Sequence, residues 1–196
     1  MVIAPLQDHR QSLLPGEFAA VASSGDKRVI DYSTGRYCVR RAQDILQLPR
    51  EQVLREKRAP LWPSGCVGSI SHCDIAASAI LSAAHASIGI DIERTDRVKA
   101  KLFPSLFTDK EVAALTDLPE PAAAIMFSAK EAGYKAIYPI GKRFIGFHEA
   151  EVFLDWHAQT FSIRYIGAHV PNKQVDTGRG YWRIFAGYVM TVFVLD

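Results

Sequence analysis

The sequence predicts an α+β fold of two similar lobes, each a helix packed on a small antiparallel sheet. Three observations lead there. Two stretches, Tyr32 to Leu48 and Ala123 to Ile137, repeat apolar residues at helical spacing. The chain from Ala150 onward alternates apolar and polar residues in several short runs separated by turn residues. An internal echo links the halves: Tyr32-Ser33-(x)2-Arg36-(x)3-Arg40 is similar to Phe127-Ser128-(x)2-Glu131-(x)3-Lys135. It hints at a pseudo-twofold relation with a seam near residue 87, and so at lobes 1–87 and 88–196.

The elements follow in chain order. Residues 1–25 are mixed, and Pro5, Pro15 and Gly16 break any regular pattern. In the first helix Val39, Ala42, Ile45 and Leu46 share a face, Arg36 and Arg40 lie one turn apart, and Pro49 helps to end it. A turn-rich stretch, REKRAPLWPSG, leads into VGSISHCD, which alternates as a strand would, and then into an Ala-rich apolar segment. SIGIDIE is the clearest strand, with Ile88, Ile90 and Ile92 on the face predicted to be core and Gly89, Asp91 and Glu93 on the other. Thr108 and Glu111 have capping-box spacing and open a short helix. In the second long helix Ile125, Ala129, Ala132 and Ala136 form the apolar stripe, with Glu131 and Lys135 together on one flank and Lys130 pointing elsewhere. AEVFLD, FSIRYI and YWRIFAGYVMTVFVL read as antiparallel strands.

Composition narrows the function classes. The 196 residues are 48% apolar and 22% charged, the balance of a soluble globular protein. A formal net charge of +2 does not suggest general nucleic-acid binding, though it permits local basic patches for phosphates or an acidic partner. Three cysteines, Cys38, Cys66 and Cys73, show neither disulfide pairing nor a zinc spacing, so a reducing cytoplasm is the expected setting. The first residues lack the apolar core of a signal peptide, and no apolar run is long enough to span a bilayer. P-loop, GxGxxG and HExxH patterns do not occur.

Two constellations suggest chemistry. Asp91 and Glu93 leave one face of a strand, and paired carboxylates suit Mg²⁺, which shares its shell with waters and substrate phosphates. Spacing alone does not separate this from a solvated strand face paired with Arg94 or Arg97, or separate Glu131 and Lys135 from an ordinary helical ion pair. Arg28, Arg36, Arg40, Arg41, Lys57 and Arg58 crowd the first half, a pattern suited to a polyanionic cofactor or to a solvated basic face. Ser71-His72 follows a Gly-rich strand, where the imidazole could donate to a phosphate or satisfy a turn.

Taken in order, Gly68-Ser-Ile-Ser71-His72, Gly89-Ile-Asp91-Ile-Glu93 and Phe127-Ser-Ala-Lys130-Glu131-Ala-Gly-Tyr-Lys135 resemble the motifs of the 4′-phosphopantetheinyl transferase superfamily. The upstream Arg28-(x)7-Arg36-(x)3-Arg40 is similar to its longer, pseudo-dimeric branch, which includes the enterobactin synthetase component D and surfactin types. The resemblance spans roughly residues 25 to 150. It implies transfer of phosphopantetheine from coenzyme A to a serine of an acyl or peptidyl carrier protein, in siderophore or nonribosomal peptide synthesis. It also implies a cytoplasmic monomer that binds neither nucleic acid nor membrane, with coenzyme A in a cleft between the lobes.

Residue by residue, the resemblance makes Asp91, Glu93 and Glu131 the ligands of Mg²⁺, for which Mn²⁺ can substitute. Glu131 is also a candidate base, and Lys135 a pyrophosphate contact. Ser71 and His72 fall at the adenosine 3′-phosphate, Arg28, Arg36 and Arg40 around the nucleotide, and Lys57, Arg58 and Pro60 against the adenine. Two departures stand out: Lys57-Arg58-Ala59-Pro60 lacks the Gly that relatives often have beside the basic residue, and Phe127 replaces a frequent Trp. The apolar run Leu102 to Phe107 is a candidate contact for the carrier. A metal-dependent phosphodiester or pyrophosphate hydrolase using the same acids, or a non-catalytic coenzyme A-binding module, are the competing readings.

Overall fold

The computed structural model describes residues 1–196, the side chain of Pro171 excepted. The chain divides into two compact units, residues 1–85 and 86–196. The architecture is α+β.

The first unit runs β1 (Val2–Pro5), α1 (Pro15–Ala19), α2 (Asp26–Ile45), β2 (Arg55–Glu56), β3 (Ala59–Pro60), β4 (Val67–His72) and β5 (Ala76–Ser82). Its antiparallel sheet has the order β1-β5-β4, and α2 packs across it. The small core is Ala4, Cys38, Val39, Ala42, Val53, Ala79 and Leu81. The Ala-rich segment after Cys73 is therefore a central strand; small side chains let α2 approach it closely. Helix α2 starts at Asp26, earlier than the Tyr32 the periodicity suggested. Its buried face is polar at Asp31, Ser33 and Thr34, which obscures the apolar repeat. Those hydroxyls hold the N-terminal segment: Gln7 N–H donates to Thr34 Oγ1 (3.1 Å) and His9 N–H to Ser33 Oγ (3.0 Å).

The second unit runs β6 (Ser87–Arg94), α3 (Phe103–Leu106), α4 (Asp109–Leu115), α5 (Ala122–Gly141), β7 (Ala150–Asp155), β8 (Thr160–Tyr165), β9 (Arg179–Phe185) and β10 (Tyr188–Leu195). Its antiparallel sheet has the order β6-β10-β9-β8-β7. Helix α5 lies along β6 and β10, burying Ile125, Ala129, Ala132 and Ala136 against the sheet. Thr108 caps α4 as its spacing predicts, exchanging bonds with Glu111. Both faces of β6 are covered: Ile88, Ile90 and Ile92 are at most 4% exposed, and on the opposite face α5 lies over Gly89 and Asp91. The carboxylate face of this strand is thus a helix-packing face rather than an open one. No described helix is long and apolar enough to cross a membrane.

Gly89 sets how closely α5 sits. A Cβ there would lie 1.9 Å from the Ala132 carbonyl oxygen and 2.8 Å from Ala136 N. Both are backbone atoms of a helix, so no side chain can swing aside. Gly89→Ala is expected to cost about 3 kcal/mol, the upper range for overpacking. An unchanged urea midpoint would show that the helix can move off the strand at no cost.

Candidate active site

The seam between β6 and α5 brings four of the expected residues together. Strand period places Asp91 and Glu93 toward α5, and helical period places Glu131 and Lys135 toward β6. Asp91 is 3% exposed. Its Oδ1 accepts from Lys135 Nζ at 2.7 Å, and its Oδ2 accepts from Ser128 Oγ at 2.9 Å. Lys135 Nζ also donates to the Ile90 carbonyl at 3.1 Å. Lys135 thus reaches across the seam to Asp91 and also acts electrostatically on Glu131, one turn earlier on the helix. Glu93 is the more open acid, with Arg97 Nε 3.7 Å from its Oε2. Arg94 instead pairs with Asp96.

Electrostatically Glu93 and Glu131 are under-compensated. Burial, reinforced by the Asp91 charge, pushes the Glu93 carboxyl up to about 7. Burial also raises Glu131, with Lys135 acting to lower it and Asp91 to raise it. Among the described residues no three His, Cys, Asp or Glu side chains form a finished metal cage. The donor set is nonetheless all oxygen, and the Asp91 charge adds to burial in raising the proton affinity of Glu93 and Glu131, which a hard divalent cation would relieve.

A stability prediction follows from Glu93. A carboxyl raised in the folded state prefers its neutral form there. Its contribution is full below its ordinary 4.5 and is lost as pH rises to about 7. Metal-free wild type is therefore expected to lose stability between those pH values relative to Glu93→Gln. Parallel melting curves for the two proteins across that range would refute the assignment.

A narrow pocket opens beside Glu131, lined mainly by apolar groups of Gly133, Tyr134, Phe144, Phe147 and Ile163. Spacing gave no sign of it, because its walls come from segments far apart in the chain. Lys130 lines it too, but its ammonium is spent inside the fold on Glu111.

The first unit holds the remaining residues. Arg28, Lys57, Arg58 and His72 are exposed, Pro60 is half-buried, and Ser71 is buried at the end of β4 beside His72. Lys57 and Arg58 form the two-residue turn between β2 and β3, with Lys57 at φ 52°. That left-handed conformation explains why a glycine would serve at this turn. Arg28 and Arg36 both lie over the Tyr32 ring, at 5.8 and 4.2 Å.

Arg36 and Arg40, which the resemblance puts around the nucleotide, do not lie on a solvated basic face. Each is 6% exposed. Arg40 pairs with Glu17, which is fully buried, and donates to Gln43 Oε1 (2.8 Å) and the Glu51 carbonyl (2.6 Å). Arg36 Nε donates to the Val53 carbonyl at 2.8 Å, 3.7 Å from Glu17. The reason is Glu17, far upstream in sequence, whose buried carboxylate needs both cations.

Comparison with known proteins decides the family. Residues 16–82 match the profile of the 4′-phosphopantetheinyl transferase N-terminal domain, and residues 87–192 match that of the 4′-phosphopantetheinyl transferase superfamily. The chain belongs to the 4′-phosphopantetheinyl transferase superfamily. Within it the chain is 34% identical to 4′-phosphopantetheinyl transferase PptT of Mycobacterium tuberculosis, over 93% of this chain and 86% of that protein. It is 36% identical to 4′-phosphopantetheinyl transferase Svp of Streptomyces mobaraensis, over 93% of this chain and 78% of that protein. Enterobactin synthase component D of Escherichia coli is 33% identical over 61% of this chain and 59% of its own length. This superfamily member thus resembles the enterobactin branch, as the spelling of its motifs suggested.

Proposed function

We propose that this chain transfers 4′-phosphopantetheine from coenzyme A to a serine hydroxyl of an apo carrier protein and releases 3′,5′-ADP. The service is to siderophore, nonribosomal peptide or related secondary-metabolite synthesis. The observation that carries the reading is the acidic seam of Asp91, Glu93 and Glu131, with Lys135 fixed on Asp91, in a chain matching this family along both units.

Asp91, Glu93 and Glu131 would hold Mg²⁺, or Mn²⁺ in its place. Bound there, the ion would offset charge on the pyrophosphate oxygens. The carrier serine oxygen forms a bond to the β-phosphorus while the bond from that phosphorus to the bridging oxygen breaks. Lys135 stabilises charge on the departing 5′-phosphate of 3′,5′-ADP. Glu131 accepts the serine proton, directly or through water. Its raised proton affinity supports that role. No covalent intermediate on the protein is needed, since positioning supplies much of the rate.

In the first unit, Arg28, Lys57, Arg58, Pro60, Ser71 and His72 would contact the nucleotide of coenzyme A. Arg36 would add to them from the margin of the Glu17 network, and Arg40 would act as framework. Both units place one long helix on an antiparallel sheet, which supports reading them as diverged copies of one plan. We further read the enzyme as a cytoplasmic monomer, with the run from Leu102 to Phe107 as a contact for the carrier.

The test is the mass of an apo carrier after incubation with coenzyme A and Mg²⁺. Gain of one phosphopantetheine supports transfer. Free phosphopantetheine with an unmodified carrier would mean hydrolysis. Coenzyme A binding with neither product would mean a non-catalytic module. A panel of carriers distinguishes peptidyl from acyl substrates.

A further inference from the structure

Behind Asp91 lies a pair of hydroxyls. Ser128 on α5 and Thr191 on β10 are both fully buried. Thr191 stands directly opposite Asp91 in the β6–β10 register, so its place beside the carboxylate is fixed by strand pairing. Ser128 Oγ is 2.9 Å from Asp91 Oδ2 and 2.8 Å from Thr191 Oγ1. Thr191 Oγ1 in turn donates to the Ser128 carbonyl at 2.9 Å. A serine within a helix commonly bonds back to its own turn. Here its bonds cross to two strands.

Counting protons sets the direction of these bonds. An ionised carboxylate only accepts, and each hydroxyl has one proton to give. The Ser128 proton therefore goes to Asp91 Oδ2. The Thr191 proton is left to serve Ser128, through its Oγ and its carbonyl. Donation thus runs from Thr191 to Ser128 to Asp91. The other oxygen of Asp91 takes its bond from Lys135. Ser128 and Lys135 are seven residues apart, two turns along one face of α5. The carboxylate is consequently gripped from both ends by a single helix face.

We propose that Ser128, backed by Thr191, is a positioning residue that fixes the plane of the Asp91 carboxylate for metal binding. The inference rests on the reading of Asp91 as a metal ligand. A ligand carboxylate held by one donor alone can rotate, and loss of such supporting bonds lowers metal affinity. A role in packing alone would instead appear only as lost stability.

The test measures Mg²⁺ binding to the full chain by calorimetry, without turnover, beside thermal unfolding and the Mg²⁺ dependence of transfer. Ser128→Ala is expected to weaken Mg²⁺ binding by about 10- to 100-fold. It should raise the half-activating Mg²⁺ concentration by a similar factor, with kcat largely restored at saturating metal. Thr191→Val keeps the shape and should give a smaller loss in the same direction. Ser128→Ala and the double variant should match, because Thr191 acts only through Ser128. Ser128→Cys, with a weaker donor of similar size, should fall between wild type and Ser128→Ala. Wild-type Mg²⁺ affinity in Ser128→Ala, whatever its melting temperature, overturns the inference alone. An absence of Mg²⁺ binding by the wild-type protein overturns the metal reading of Asp91, and the inference falls with it.

Discussion

Asp91→Asn is expected to lower the rate of transfer on the order of a thousandfold while the fold survives. The substitution keeps size and shape and removes one charge. Two fixed donors, Lys135 Nζ and Ser128 Oγ, end on the carboxylate. Asn can meet both only if the amide oxygen faces Lys135 and Ser128 turns into an acceptor. The site would then lack the charge that draws a divalent cation, and Glu93, still raised by burial, would lose the Asp91 charge that adds to it. The stability cost is limited because Lys135 is 25% exposed along its side chain and keeps the Ile90 carbonyl. Steady-state transfer and far-ultraviolet circular dichroism check the two halves. Activity within tenfold of wild type would remove Asp91 from the metal site.

The largest stability effect is expected at Lys130, one residue before the candidate base. Its ammonium is buried, with bonds to Glu111 Oε2 (2.7 Å) and to the carbonyls of Phe147 (2.5 Å) and Ala150 (2.9 Å). Glu111 is equally enclosed and accepts from the backbone N–H of Thr108 at 2.9 Å and of Val152 at 2.8 Å. One carboxylate thus ties α4, α5 and β7 together. Lys130→Met would strand that charge, at a cost of about 3–5 kcal/mol. Adding Glu111→Leu should return much of the loss, because the pair and not either member satisfies the site. Urea denaturation of the single and double variants gives the answer. A cost below about 1 kcal/mol for Lys130→Met would mean the pair is far better solvated than its burial indicates.

Much of the second unit is legible in the sequence because its elements follow strict periods. The alternation of SIGIDIE, the Thr108–Glu111 spacing and the Ala stripe of α5 each correspond to an element in the fold. The sense of β6 is not legible, since alternation separates two faces without saying what covers either one. In the first unit the strand at Ala76–Ser82 is hidden by its small residues, which lack the branched side chains that mark strands. The buried placement of Arg36 and Arg40 depends on Glu17, and no local pattern links a lone glutamate to arginines on a later helix. Ser128 and Thr191 lie 63 positions apart and meet only through strand register. Local spacing pairs Asp91 with Glu93 and Glu131 with Lys135; the family resemblance alone joins the two pairs, and nothing local shows the register that brings Thr191 beside Asp91.

The bare backbone contact at Gly89 limits how this enzyme can change. With no side chain between strand and helix, the distance from Asp91 to Glu131 and Lys135 is set by main-chain atoms, and no gradual series of residue sizes can adjust it. New acceptors or altered thioester donors are therefore better sought by varying the pocket wall at Phe144, Phe147 and Ile163, where large side chains can change in size. In a randomised library, survivors should tolerate bulk along that wall and return glycine at position 89.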